Sequence, residues 1–314
     1  MIIGLRNPIK TFKYLISSKA KKNIDGFDPE ASHNVVIMTK EHNKKSKSYI
    51  RFEFYKKILF DSLPDESLRT QFFKNSEKIS ELEMETGVKL KVNSDRKKSG
   101  AWRDRTHTMI GDRLDNLQFC FEEIIKNNVP GDLMETGVWR GGACIFMRLM
   151  LKEYDIKDRL VYVADSFEGL PKPNSKKYPK DKNDIHHIID VVKVSIDDVK
   201  NNFKAYGVLD NQVRFLKGWF KDTMKDPPFE KLSILRLDGD MYESTWDVLT
   251  NCYDKLSIGG YLIVDDYALS ACHDAVDDFR SQNNIDEHIE YFDAGNVYWK
   301  KVKNISSFNK SLVK

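Results

Sequence analysis

The feature that most constrains the fold is a regular alternation of strand-like and helix-like segments from residue 131 to residue 302. Short apolar runs such as 160–165 (LVYVAD) and 232–238 (LSILRLD) alternate with amphipathic segments such as 195–207 (SIDDVKNNFKAYG). Parallel strands need a crossover connection of a dozen or more residues, usually a helix, so strands joined through helices are expected to pair in parallel. The alternation therefore predicts an α/β fold: an open, mostly parallel sheet with helices on both faces.

Seven strands and five helices are predicted in this region. The strands are 131–136, 160–165, 212–218, 232–238, 261–266, 288–293 and 297–302, and the helices are 108–127, 143–154, 195–207, 243–257 and 272–283. Ser195 is expected to cap its helix and Gly207 to end it. The last two strands are separated only by the turn 294–296, which predicts a C-terminal hairpin and one antiparallel strand near the sheet edge.

Residues 1–100 lack the alternation and are predicted to be a basic, mainly helical extension, with the catalytic domain over 101–303 and a tail over 304–314. The first 50 residues contain ten Lys or Arg against four Asp or Glu, whereas the whole chain has a net charge of only +3. Helices are predicted at 50–62 and 65–84. Residues 1–16 are predicted to form a packing or oligomerisation helix, with weak contact with a membrane surface as the alternative. They do not resemble a signal peptide, because Pro8 and two lysines interrupt the apolar residues.

Composition excludes several classes of protein. No apolar run approaches the roughly 18 residues that a membrane-spanning helix needs. The four cysteines (Cys120, Cys144, Cys252 and Cys272) form no CxxC pair, which argues against a disulfide scaffold or zinc ribbon and favours a cytoplasmic setting. The positive charge lies in the extension and not in the predicted domain, so a nucleic-acid partner is not expected.

In open parallel sheets, ligands bind beyond the carboxyl ends of the strands. The first strand is followed by the glycine-rich turn 135–142 (ETGVWRGG), whose helix start suits an anionic group. Asp165 ends the second strand, where a carboxylate can accept hydrogen bonds from both ribose hydroxyls. Trp219 and Phe220 follow the third strand and could lie against an adenine. Together these features indicate a nucleoside pocket with an anionic tail; a tight structural turn and simple aromatic packing are the alternatives.

Four acids, Asp238, Asp240, Asp265 and Asp266, follow the fourth and fifth predicted strands. Carboxylates gathered at one sheet edge repel one another unless a cation lies between them. Hard oxygen ligands favour Mg²⁺, with Mn²⁺ or Ca²⁺ as substitutes, whereas zinc would favour His or Cys. A divalent-metal site is therefore predicted here; capping of a following helix is expected for one of the four acids but does not account for all four.

The motifs ETGVWRGGACIFM, ADSFEGLP, YGVLDNQVRFLKGWFKDT, ILRLDGDMYEST and GGYLIVDDY resemble the macrocin O-methyltransferase (TylF-type) family in order and spacing. The upstream TMIGDRLDNLQ and the downstream AVDDFR resemble it as well, so the likeness runs from about residue 102 to residue 301. It implies a Rossmann-like class I methyltransferase fold and an enzyme that uses S-adenosylmethionine and Mg²⁺ to methylate a sugar hydroxyl. The substrate would be a glycosylated metabolite, a nucleotide sugar or a surface glycan precursor.

The resemblance also implies roles for particular residues. Asp238, Asp265 and Asp266 would hold the metal, and Asp240 would be the general base. The residues implied around the cofactor are Thr108, Met109, Ile110, Glu135, Thr136, Gly137, Arg140, Gly142, Asp165, Ser166, Gly218, Trp219, Phe220 and Asp238.

The histidines are interpreted from their positions. His273 begins a helix next to the predicted metal site and is a candidate substrate contact or auxiliary base. His186 and His187 lie in the loop 171–190, where substrate specificity is expected to diverge, and the pair is expected to face solvent.

One other class of enzyme fits part of the sequence. A metal-dependent nucleotide-sugar glycosyltransferase also uses an Asp-x-Asp pair, and Asp238-Gly239-Asp240 has that spacing. The glycine-rich turn after the first strand and the acid that ends the second favour the methyltransferase. The expected partners are a sugar-containing substrate and a second copy of the chain.

Overall fold

The computed structural model describes residues 51–53, 55, 56, 59, 113–293, 295–305 and 308–311. The predicted cofactor residues Thr108, Met109 and Ile110 lie outside this part of the chain, as do the predicted N-terminal helix and the linker 93–100.

The described chain alternates strands and helices as predicted. The helices are α1 (Arg113–Lys126), α2 (Gly142–Glu153), α3 (Ile196–Ala205), α4 (Phe220–Thr223), α5 (Tyr242–Cys252) and α6 (Ser270–Gln282). The strands are β1 (Asp132–Thr136), β2 (Val161–Asp165), β3 (Val213–Lys217), β4 (Leu232–Leu237), β5 (Leu256–Val264), β6 (Glu290–Tyr291) and β7 (Val297–Lys300). Ser195 caps α3 as expected, because its hydroxyl accepts a hydrogen bond from the Asp198 backbone N–H.

The seven strands form one sheet in the order β3-β2-β1-β4-β5-β7-β6. Strands β1 to β5 pair in parallel, and β7 lies antiparallel between β5 and β6. The predicted α/β architecture and the antiparallel strand near the sheet edge are therefore confirmed. The strand order reverses between β1 and β4, so the main crevice is expected above the ends of these two central strands.

Two apolar cores cover the two faces of the sheet. One contains the buried sides of α1, α2 and α3, including Phe121, Phe146 and Phe203. The other contains those of α5 and α6, including Trp246 and Phe279. The central strands β1 and β4 are buried except at Asp132, the first residue of β1, as expected for a parallel sheet between two helical layers.

Part of the predicted extension packs into the first core. Phe52, Tyr55 and Leu59 are helical and almost fully buried, and Phe52 makes an edge contact with Phe146 of α2. Arg51 donates to Glu153 at the end of α2, with 2.6 Å between Nη1 and Oε1. The described residues of the extension are thus joined to the catalytic domain by apolar and ionic contacts.

The element boundaries differ from the prediction mainly around β5 and the hairpin. Helix α5 ends at Cys252, and β5 begins at Leu256, five residues before the predicted start. Gly259, within β5, adopts a left-handed backbone (φ 87), and a Cβ there would lie 3.0 Å from the Val129 side chain. The hairpin strands β6 and β7 are shorter than predicted, with Glu290 opposite Tyr298. Among the described helices, none has the length and apolar character needed to cross a membrane.

Candidate active site

Unusual backbone conformations mark the loops at the carboxyl edge of the sheet. Trp139, Phe167 and Asp240 have φ values of 47, 57 and 58, and they lie in the loops that follow β1, β2 and β4. The other described non-glycine residues with positive φ, which are Asn or Asp, follow helices α1, α2 and α6. Strained residues at strand ends are typical of functional sites, because the surrounding fold must hold them in place.

Gly137 brings the β1 loop against the β4 loop. Its φ is 80, and a Cβ there would lie 1.6 Å from the carbonyl oxygen of Asp238. The resemblance implied that Gly137 lies around the cofactor. The structure shows that it is required for contact between the two central loops.

Three of the four predicted acids form a cluster above β4 and β5. One carboxylate oxygen each from Asp238, Asp265 and Asp266 lies within 4.8 Å of the others, a spacing at which one ion could contact all three. Asp240 lies beside them, and its backbone N–H donates to Oδ2 of Asp266 at 3.1 Å. The topology thus brings together the four acids that the sequence predicted.

Two arginines partly balance this negative charge, and sequence reasoning did not identify them. Arg236 of β4 donates to Asp238 at 2.9 Å and also to Asp265. Arg113, the first residue of α1, donates to the other oxygen of Asp265. The sequence feature that could have identified Arg236 is its charge within the otherwise largely apolar strand 232–237. Asp265 is therefore held in place, because both its oxygens are bound by arginines.

In Asp266 and Asp240, burial destabilises the charged form of the carboxyl group. Burial raises the pKa of Asp266 well above its usual value, and the nearby charges of Asp240 and Asp238 raise it further. Burial likewise raises the pKa of Asp240 to about 6, against the opposing charge of His186. A cation bound among these carboxylates would favour their ionised forms.

Glu135, predicted to face the cofactor, is instead bonded within the protein. It is buried, its Oε1 accepts from Arg236, and its Oε2 accepts from the Cys144 thiol at 3.0 Å. Burial raises the pKa of its carboxyl group. The neighbouring Thr136 is also buried, and its hydroxyl faces the carbonyl oxygen of Arg236. Arg236 therefore links the β1 motif to the carboxylate cluster.

Asp165, at the end of β2, fixes two loops. Its Oδ2 accepts from the Val138 backbone N–H at 2.8 Å, and its Oδ1 accepts from that of Phe167 at 2.7 Å. Ser166 continues this turn by donating to the carbonyl oxygen of Gly169 at 2.6 Å. Each carboxylate oxygen can accept more than one hydrogen bond, so a contact with a ribose hydroxyl is compatible with this geometry.

The other predicted cofactor residues lie around the same edge. Gly142 is the buried first residue of α2, and the Arg140 guanidinium lies 4.6 Å from the Trp139 ring centroid. Gly218 (φ 144) turns the chain into α4. Trp219 and Phe220 at the start of α4 are half-buried.

Phe220 is also close to the Asp-Gly-Asp turn, since a Cβ on Gly239 would lie 3.6 Å from its ring. The loop after β3 therefore reaches the carboxylate cluster.

The long connection between β2 and α3, residues 166–195, is tied down over this edge. The buried carboxylate of Asp181 accepts from the backbone N–H groups of Tyr242 and Glu243, at 2.8 and 2.9 Å. These groups begin α5, directly after the Asp-Gly-Asp turn. Lys180 donates to Asp278 of α6 at 2.7 Å. At the other end, the Trp139 indole donates to the carbonyl oxygen of Val191 at 2.8 Å.

His186, within this connection, is the functional candidate that the sequence analysis underestimated. Its side chain is only 17% exposed, and its Nδ1 lies 2.6 Å from Oδ2 of Asp184. His187 is half-buried as well, so the expectation that this pair faces solvent is wrong. The sequence feature that could have indicated a role for His186 was the length of this connection, because a long loop without regular structure is usually functional.

His273, predicted as an auxiliary base, has different neighbours. Its ring nitrogens lie 3.4 Å from Asp274 and 3.5 Å from Asp277, both on α6, and its ring packs on Tyr267. These contacts hold the imidazole against its own helix. The charge of Asp240 acts on His186.

The sheet order, the inserted antiparallel strand and the site at the carboxyl edge define a Rossmann-like class I methyltransferase. The sequence profile of the macrocin O-methyltransferase (TylF) family matches residues 44–301. The chain belongs to this family and is an O-methyltransferase. The match begins well before residue 102, so it includes the buried residues Phe52, Tyr55 and Leu59.

Several characterised relatives are similar over most of their length. The chain is 52% identical over 205 residues to demethyldecarbamoylnovobiocin O-methyltransferase of Streptomyces niveus, covering 64% of this chain and 78% of that protein. It is 52% identical over 199 residues to mycinamicin III 3''-O-methyltransferase of Micromonospora griseorubida, covering 62% and 78%. The solved structure of the O-methyltransferase NovP is 42% identical, with a TM-score of 0.68, covering 82% of this chain and 100% of that one.

Proposed function

We propose that this protein transfers a methyl group from S-adenosylmethionine to a sugar hydroxyl, with Mg²⁺ held by Asp238, Asp265 and Asp266. The observation that supports the proposal most strongly is the position of Asp240 beside three clustered carboxylates at the crevice edge of a methyltransferase sheet. When bound, S-adenosylmethionine supplies the methyl group and leaves as S-adenosylhomocysteine, and Mg²⁺ lowers the pKa of the acceptor hydroxyl.

The residues present fit a hard divalent cation. The three clustered ligands are all carboxylates, and the cluster contains no His or Cys. Burial and mutual repulsion raise the pKa of Asp266. Arg236 and Arg113 bind Asp265 and hold it in one orientation, so this ligand is preorganised. A cation would thus complete the charge balance of groups that the fold already holds together.

The loops after β1, β2 and β3 fit the nucleoside side of the cofactor. Asp165 is fixed by two backbone N–H groups, so its orientation is set before any ligand binds. Trp219 and Phe220 present half-buried aromatic faces at the adjoining strand end. We also assign Gly137, Arg140 and Gly142 to the cofactor site. Glu135 and Thr136, which are buried at the end of β1, would hold the turn beneath it in place.

Asp240 is the group that would accept the hydroxyl proton. Its left-handed backbone and its N–H bond to Asp266 fix the turn that presents its carboxylate. Burial raises the pKa of this carboxyl group above its usual value, which favours uptake of the hydroxyl proton. Its position next to the metal ligands would place it beside a hydroxyl held there, and this alignment contributes as much as basicity does.

The acceptor class follows from the relatives. One relative is named for the 3'' position of mycinamicin III, and another, 49% identical, for the 4' position of a rhamnosyl-tetracenomycin. The second name describes a metabolite that carries a methoxylated rhamnosyl group. We infer a sugar hydroxyl of a glycosylated metabolite for this chain, with nucleotide sugars and surface glycan precursors as the other members of the class. The glycosyltransferase alternative is set aside because the chain belongs to an O-methyltransferase family.

A transfer assay with methyl-labelled S-adenosylmethionine tests the proposal. The acceptors are nucleotide sugars, glycosylated metabolites and cell-surface glycans, each with Mg²⁺ or with EDTA. We expect label on a sugar oxygen in at least one acceptor class and loss of that label with EDTA. Label on no sugar, or equal label with EDTA, would overturn the proposal.

A further inference from the structure

The connection between β2 and α3 spans both halves of the proposed site. Asp181 joins it to the first residues of α5, just after Asp240, and the carbonyl oxygen of Val191 joins it to Trp139 in the glycine-rich turn. Asp181 is completely buried. The residues between these two anchors, 182–190, therefore lie at the carboxyl edge of the sheet, where the acceptor has to enter.

Asp184 fixes His186 within this stretch. The Asp184 carboxylate accepts from the His186 backbone N–H at 2.9 Å and contacts the ring nitrogen Nδ1 at 2.6 Å. The side chains of both residues are mostly buried, at 8% and 17% exposure. Two bonds from one carboxylate set both the position of the residue and the orientation of its ring.

The Asp181 bonds hold this segment at the start of α5, two residues after Asp240, and the charge of Asp240 acts on His186. Two carboxylates, Asp184 on its own segment and Asp240 on the β4 loop, raise the pKa of His186, because each favours the protonated imidazole. Burial opposes protonation but does not outweigh the two acids. Among the charged groups around Asp240, His186 has the largest effect on the pKa of that carboxyl group, which it lowers. A hydrogen-bond donor is thus held close to the proposed base.

We propose that His186, oriented by Asp184, is part of the acceptor site and binds the sugar through an oxygen next to the hydroxyl that Asp240 deprotonates. This inference rests on the proposed function, because it needs a sugar acceptor at Asp240. Neighbouring sugar oxygens are separated by two carbons, so a donor beside the base can bind one oxygen while the base engages the other. The cofactor is assigned to the loops after β1 and β3 and to Asp165 and Ser166 at the start of the β2 loop, whereas His186 lies in the later part of that loop, on the acceptor side.

The test compares His186→Gln with His187→Gln, which changes the next residue of the same 3₁₀ turn. The probe is the sugar acceptor that the wild-type protein labels most strongly in the screen described above. For His186→Gln we expect kcat/KM for the acceptor to fall about 10- to 100-fold, the effect of losing one hydrogen bond to a charged group. The change should be mainly in the acceptor KM. Asp184→Asn should act in the same direction.

Cofactor binding and folding serve as readouts that a merely structural role would change. Calorimetric Kd values for S-adenosylhomocysteine and melting temperatures should match the wild type in His186→Gln and His187→Gln. Unchanged acceptor kinetics in His186→Gln, or equal losses in the two variants, would overturn the inference and leave the proposed function intact. If the wild type labels no sugar acceptor, the proposed function itself fails, and this inference fails with it.

Discussion

Asp181 offers a quantitative test of how the long connection is held over the site. Its buried carboxylate accepts two backbone N–H groups at the start of α5, at 2.8 and 2.9 Å. A hydrogen bond to a charged acceptor contributes about 1.5–3 kcal/mol. Asp181→Ala removes both bonds and leaves two buried donors without this acceptor. The lower value for each bond gives a loss of about 3 kcal/mol in the free energy of unfolding.

Thermal and urea unfolding followed by circular dichroism measure this loss. For a domain of 150–250 residues, about 1 kcal/mol corresponds to about 2–4 °C, so Asp181→Ala should lower the melting temperature by about 6–12 °C. Asp190→Ala is the matched control, because Asp190 lies in the same connection, is exposed and pairs with Lys193. It should leave the midpoint unchanged. A midpoint for Asp181→Ala equal to that of the control would refute the reasoning.

Three further predictions concern single residues. Gly137→Ala should prevent folding to soluble protein, because its Cβ would collide with the Asp238 carbonyl. The Cβ of Gly207→Ala would meet nothing within 4 Å, so this variant should lower the free energy of unfolding by only about 1–2 kcal/mol. Equal stability of the two variants would contradict this reasoning. Ser195→Ala should cost about 1 kcal/mol through loss of the α3 cap, and an unchanged urea midpoint would argue against the cap. NMR titration should give His186 a pKa above 6.5, because Asp184 and Asp240 outweigh the effect of burial. Its contribution to stability is then present below pH 6.5 and is lost as the pH rises through the raised pKa; a His186 pKa at or below 6.5 would exclude this arrangement.

The sequence was sufficient for the fold because the local patterns and the global topology agree. The alternation of strands and helices predicted the parallel sheet, the short turn 294–296 predicted the hairpin, and Ser195 caps α3 as its position indicated. The acids after β4 and β5 could be placed together because parallel strands end at the same edge.

The missing parts of the site depend on contacts between residues far apart in the chain. Arg236 bonds to Glu135, which is 101 positions earlier, and Asp181 caps a helix that begins 61 positions later. His186 lies in the same long connection that Asp181 joins to the start of α5. No local periodicity encodes these pairings, although the charged Arg236 within an apolar strand was a visible sign.

The most direct test of the central claim is the Mg²⁺ dependence of methyl transfer to the sugar acceptor in wild type, Asp266→Asn and Asp286→Asn. Asp266 belongs to the carboxylate cluster, whereas the exposed Asp286 pairs with Lys303. We predict that EDTA abolishes transfer by the wild type and that Mg²⁺ restores it. Asp286→Asn should respond in the same way, and Asp266→Asn should stay inactive at Mg²⁺ concentrations that saturate the wild type. Full activity of the wild type in EDTA, or an Asp266→Asn variant with the wild-type Mg²⁺ response, would contradict the account.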